Sequence, residues 1–122
     1  MNNIKGAIEN ILSIILSVGF LGAGMIKLVG MPQVENAFLV WNYPSHFMYI
    51  VGAFEMLLFV GFFIKKFRSF ASIGAIILMT GAIYTHIHFG ESNQLYGPLL
   101  ILILATAVLF LGLLNNKKSS LP

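Results

Sequence analysis

Three side chains with usable chemistry, Lys27, Glu55 and His86, fall inside long apolar stretches of the chain. An ionisable group is costly there, about 2.5–3.5 kcal/mol for a Lys or Asp at the centre of a bilayer-spanning helix. A lysine donates hydrogen bonds, a carboxylate accepts them, and a histidine can do either. At one depth the three could hold a polar head group and move a proton to or from it. A second reading needs no ligand. Lys27 and Glu55 could pair, each favouring the charged form of the other, and pin helix register. In a third, Lys27 snorkels to the outer head groups.

Around these three lie rings that could form a pocket rim. Trp41, Tyr43, Tyr84 and His88 are the candidates, with Phe47 nearby. They could sandwich a flat ligand such as a quinone head group, or they could belong to an ordinary interfacial belt. The segment Thr85-His86-Ile87-His88-Phe89-Gly90-Glu91 raises the question of a metal. Residues two apart on a helix point to nearly opposite faces, so His86 and His88 cannot share an ion. His88 and Glu91 could, but two ligands fall short of a site, and no metal is expected. His46 receives no role.

Those residues require membrane helices to position them. The 122 residues are 58% hydrophobic and only 9% charged, against about 25% charge in a soluble domain. The mean hydropathy is +0.91. Four apolar spans of about 20 residues fit this length. They are read at 7–29, 47–64, 70–89 and 95–114, within a single integral membrane domain over 1–122. Residues 30–46 form an outer loop in which Pro32 and Pro44 rule against one continuous helix and allow a short surface helix. Residues 115–122 form a polar, frayed tail. The fold class is therefore all-α, a four-transmembrane-helix antiparallel bundle. An alternative signal-peptide reading of Lys5, the apolar run 11–21 and Gly22-Ala23-Gly24 is set aside, because the apolar run continues past the triplet.

Lysine and arginine placement orients the chain. Lys5, Lys65, Lys66, Arg68, Lys117 and Lys118 all fall at the N-terminus, the middle loop or the C-terminus. Those regions share one side of a four-span protein, so both termini are expected in the cytoplasm and the protein in the cell membrane as a multi-pass chain. The net charge of +3 follows this topology pattern, and no nucleic-acid partner is expected. The absence of cysteine excludes a dithiol relay, a disulfide and a thiolate metal site. The three ionisable residues also fall on stripes of small residues: Ser17, Gly24 and Lys27; Gly52 and Glu55; Ser72, Ala75, Met79, Ala82 and His86. Such stripes mark packed helix interfaces, so the polar heads are expected to point inward. The fourth span carries no charge and serves to close the bundle.

The run from Phe20 to Leu28, with Gly22, Gly24, Lys27 and Leu28, resembles the first-span signature of DoxX-like proteins. Gly52-Ala53-Phe54-Glu55 is similar to that family's second span, and Met79-Thr80-Gly81-Ala82 followed by His86 to its third. The resemblance covers residues 16–114. It implies a four-helix membrane bundle with Lys27, Glu55 and His86 as the family-like polar positions. It also implies an association with quinone-linked redox work in some members and with assembly of membrane receptors in others.

Two functions follow as expectations. In one, the protein binds a quinone or related isoprenoid lipid in the outer third of the bilayer, linked to membrane redox metabolism. Any enzyme activity would then be that of a subunit of a quinone-linked oxidoreductase, with the quinone as cofactor or substrate. In the other, it is a non-catalytic assembly factor or stabilising subunit whose Lys27–Glu55 pair is structural. A membrane-protein partner or a homodimer fits the second reading, since glycine and alanine remain on several faces.

Overall fold

Residues that tolerate left-handed backbone set three of the helix ends. The computed structural model describes residues 2–119. Helix α1 (Asn2–Leu28) stops where Gly30 takes φ 72°, and the Met31 N–H reaches back to the Ile26 carbonyl at 3.0 Å. This closure satisfies carbonyls that a last turn otherwise leaves open. Pro32 then begins α2 (Pro32–Val40), at a position where the missing N–H costs nothing. Helix α2 ends in the same way, with Asn42 at φ 61° and the Tyr43 N–H on the Phe38 carbonyl at 3.1 Å. Helix α3 (Phe47–Phe63) leads through a 3-10 turn at Lys65–Phe67 into α4 (Arg68–His88). At the end of α4, Gly90 takes φ 70° and the Glu91 N–H returns to the His86 carbonyl at 2.7 Å. A second 3-10 turn, Ser92–Gln94, precedes α5 (Tyr96–Ser119).

The helices agree with the expected spans to within a few residues, with one clear departure. The tail expected to fray at 115–122 is helical through Ser119; residues 120–122 lie outside the described residues. The helix persists because Asn115 is anchored, its Nδ2 donating to Glu9 Oε1 at 2.8 Å. Segments Ile4–Leu28, Lys65–His88 and Tyr96–Asn115 are long and apolar enough to cross a membrane, and Phe47–Phe63 is apolar but only 17 residues long. No strand occurs among the described residues.

The long helices alternate in direction. Helix α1 packs along α3 and α5, and α4 packs along the same two. Large apolar side chains cover the outside, among them Leu57, Phe63, Ile77, Leu100 and Ile103, all exposed. An apolar exterior around a partly polar interior suits lipid as the solvent. Inside, Leu16, Phe20, Leu58, Phe62, Ala71, Ala75, Met79, Ala105 and Val108 form the core, with the Phe20 and Phe62 rings stacked at 6.0 Å. Helices α1 and α3 approach closely. A Cβ at Gly52 would stand 2.9 Å from Lys27 Cβ and 3.2 Å from the Gly24 carbonyl oxygen. Ser17 strengthens this contact by donating to the Phe59 carbonyl at 2.8 Å.

At the end of the array away from Lys27, a polar network ties α1, α4 and α5 together. Arg68 Nη1 lies 3.2 Å from Glu9 Oε2 and donates to Asn10 Oδ1 at 2.6 Å, while its Nε donates to the Phe62 carbonyl at 2.9 Å. The Arg68 and Glu9 side chains are both buried. Arg68 is thus a structural tie, whereas the sequence reading places it among the solvated cations of the middle loop. Glu9, a fourth ionisable residue within the first span, has no part in that reading. The two lie 59 positions apart, so only packing reveals that they neutralise each other.

Three outcomes are expected from thermal denaturation in a single detergent. Gly52→Ala should lose about 1–3 kcal/mol, because α1 and α3 must separate. Gly22→Ala, which meets nothing within 4 Å, should be neutral or gain up to about 1 kcal/mol. Glu9→Ala should cost about 3–5 kcal/mol by leaving Arg68 buried without its carboxylate.

Candidate functional site

The Gly24–Gly52 approach lets α1 and α3 come close enough for their polar residues to meet. One turn beyond each glycine, Lys27 Nζ lies 2.8 Å from Glu55 Oε1, with side-chain exposures of 15% and 5%. The contact is an ion pair by distance only. Its angles fall outside those of a directed hydrogen bond, so Glu55 Oε1 is buried without one. The lysine makes a long 3.4 Å hydrogen bond to the Ala23 carbonyl of its own helix.

The pair lies in the wall of a cavity of about 530 Å³. Helices α1, α3, α4 and α5 form its sides, with Ala23, Val51, Leu78, Met79 and Ile101 as apolar lining. Helix α2 and the residues after it form its cap. Phe38 is the buried residue of α2, and its ring packs against Trp41 at 5.2 Å and against Tyr43 and Phe47 at 6.1 Å each. Two side-chain contacts fasten this cap to α4. Thr85 Oγ1 donates to the Gly81 carbonyl at 2.9 Å, so the 2.6 Å bond between Tyr43 and Thr85 uses the tyrosine proton. Trp41 Nε1 donates to Glu91 Oε1 at 3.0 Å.

His86 also lines the cavity, but it does not join Lys27 and Glu55 in a triad. Its Nδ1 lies 2.8 Å from Glu91 Oε1, the oxygen that Trp41 also binds, and its ring meets the Trp41 ring edge-on at 5.4 Å. The left-handed turn at Gly90 is the cause, since it folds Glu91 back over the last turn of α4. An ionised carboxylate needs donors, so the geometry places the histidine proton on Nδ1 and leaves Nε2 for a ligand. The hydrogen bond from His86 holds the Glu91 carboxyl below the ordinary carboxylate value. Partial desolvation opposes this, and the Trp41 hydrogen bond and the His86 charge add to it.

The residues considered as a rim divide by helix face. Trp41 and Tyr43 line the cavity. Tyr84 and His88 instead stack on each other at 5.7 Å on the exposed side of α4. Each is two residues from His86, about 200° around the helix, so an inward His86 turns both outward. Phe38, Thr85, Gln33 and Gln94 line the cavity without having been singled out from the sequence. Phe38 is the aromatic residue of the short helix α2, whereas Thr85 is identified only by its contact with Tyr43. Exposed His46 precedes α3 and does not line the cavity. Among the described residues, no three of His, Asp and Glu come together as metal ligands.

The Glu91 contacts carry a pH dependence with a defined sign. A carboxyl whose folded value is lowered contributes stability that is fully present above its unfolded value and is lost as pH falls through the folded one. Trp41 is the single tryptophan and reports on this directly. Its emission should show a transition below the ordinary glutamate value of 4.5. Glu91→Gln should abolish that acid transition in a fluorescence titration.

Comparison with known proteins places this arrangement. Neither a curated protein nor a solved structure matches the chain. One family model matches residues 11–108, most of the sequence and all of the cavity's walls. The apolar helices and this match together identify an integral membrane protein, and the chain belongs to the DoxX-like family.

Proposed function

We propose that this protein binds a quinone or a related isoprenoid lipid in the cavity beneath α2, in the outer third of the bilayer, and serves membrane quinone metabolism. The observation that carries this reading is the cavity itself. Its volume of about 530 Å³ falls within the range of small-molecule sites, about 300–1,000 Å³. Its lining combines polar groups, among them Lys27, Glu55, Thr85 and His86, with apolar and aromatic side chains. Such a site takes a flat head group with a hydrocarbon tail. Lys27 holds the head-group oxygen, His86 Nε2 offers a second contact, and Glu55 takes or gives the proton. The rings of Phe38, Trp41 and Tyr43 keep water from this end.

The orientation belongs to the same proposal. All four long helices span the cell membrane, α3 as the shortest, making the chain a multi-pass four-helix bundle. Lys65 and Lys66 lie between α3 and α4 and Arg68 opens α4, all at the same end as the start of α1 and the end of α5. A cationic end facing the cytoplasm puts both termini inside and the cap outside.

A non-catalytic role in assembling or stabilising another membrane protein rests on a different feature. Lys27 and Glu55 meet at the close α1–α3 crossing, where a pair could serve register alone. Native mass spectrometry of the gently purified protein separates the two readings. An adduct of quinone or isoprenoid mass is expected on the wild type and should be lost in Glu55→Gln with the fold retained. A chain that carries a second polypeptide and no adduct would overturn the ligand reading in favour of the assembly role.

A further inference from the structure

Within the ligand-site reading above, on which it rests, we infer that the cavity selects a hydroxyl on a flat ring, the phenolic form of a quinone-like head group, over the corresponding carbonyl. The argument starts from the oxygen left over. Glu55 Oε1 lies in a side chain only 5% exposed, touches the Lys27 ammonium at 2.8 Å, and still has no directed hydrogen bond. The ammonium is also underused, because its 3.4 Å bond to the Ala23 carbonyl lies at the long end of the range. The wall of the cavity therefore presents a carboxylate directly beside an ammonium.

The two groups differ in what they can take. An ionised carboxylate only accepts and an ammonium only donates. A quinone carbonyl only accepts, so it could bond Lys27 but would set its lone pairs against Glu55. A carboxylate ligand would add a second anion beside Glu55, and an amine a second cation beside Lys27. A hydroxyl satisfies both sides at once by donating to the Glu55 carboxylate and accepting from Lys27 Nζ. The surroundings supply the rest of the match. Phe38, Tyr43 and Phe47 offer ring faces and edges at the cap, and Leu78, Met79 and Ile101 offer apolar wall. A phenol with a hydrocarbon tail fits that sequence of surfaces. Only binding is assigned here, so no electron acceptor is required.

The selection can be measured on the full-length protein in detergent micelles, by quenching of Trp41 under anaerobic conditions. The probes are an alkyl-benzoquinone, its hydroquinone with the same tail, and the dimethyl ether of that hydroquinone. The hydroquinone should bind at least about tenfold more tightly than the quinone, the scale expected when a buried acceptor gains or lacks its donor. The ether, which cannot donate, should bind no more tightly than the quinone. In Glu55→Gln the amide can donate to a carbonyl as well as accept from a hydroxyl, so the preference should shrink to about threefold or less. The ligand series on the wild type keeps the test decisive even where the variant folds poorly. A smaller wild-type preference, an ether that matches the hydroquinone, or a preference unchanged in a folded Glu55→Gln would overturn the hydroxyl assignment while the cavity reading stands. Failure of all three probes to bind would overturn the cavity reading and this inference with it.

Discussion

The close crossing of α1 and α3 at Gly24 and Gly52 is the constraint on which the cavity half of the protein depends. With no side chain on either residue, the backbones approach until the Gly24 carbonyl oxygen lies near the Gly52 Cα. Lys27 and Glu55 are each three residues further along, on the same faces, so the approach that seats the glycines also brings the charges together. Lipid tails supply no hydrophobic drive between helices, and this kind of small-residue packing takes its place. The cavity begins where this contact ends.

The two ends of the array handle buried charge differently. At the Arg68 end, the guanidinium reaches a carboxylate, an amide and a backbone carbonyl, and Asn115 caps the other oxygen of Glu9. That end is well supplied with partners and closed by packing. At the Lys27 end, the ion pair leaves Oε1 without a directed bond and faces open volume. Between them lies an apolar layer that includes the stacked Phe20 and Phe62 rings. One end is a polar tie between helices, and the other is a polar wall of the cavity.

The cap follows a similar logic. Helix α2 is joined to its neighbours by turns at Gly30 and Asn42, both with positive φ. It covers the cavity through ring packing around Phe38 and is held to α4 by Tyr43 and Trp41. Glu91 gathers Trp41 and His86 on one oxygen, so a single carboxylate links the cap to the end of α4 and the turn before α5.

By itself the sequence determined what each segment had to be. Apolar runs of membrane-spanning length, with Pro32 and Pro44 between the first two, specify helices and the breaks between them, because these signals act over a few residues. Lys27, Glu55 and His86 stood out for the same reason, as ionisable groups in local surroundings that penalise them. Only the tertiary structure decided which groups meet. It gave Arg68 to Glu9, turned Tyr84 and His88 outward, and drew His86 to Glu91 and away from the Lys27–Glu55 pair. Each of those outcomes depends on helix rotation and on a turn such as that at Gly90. A rotation of about 100° per residue makes the face of any one side chain depend on where its whole helix packs.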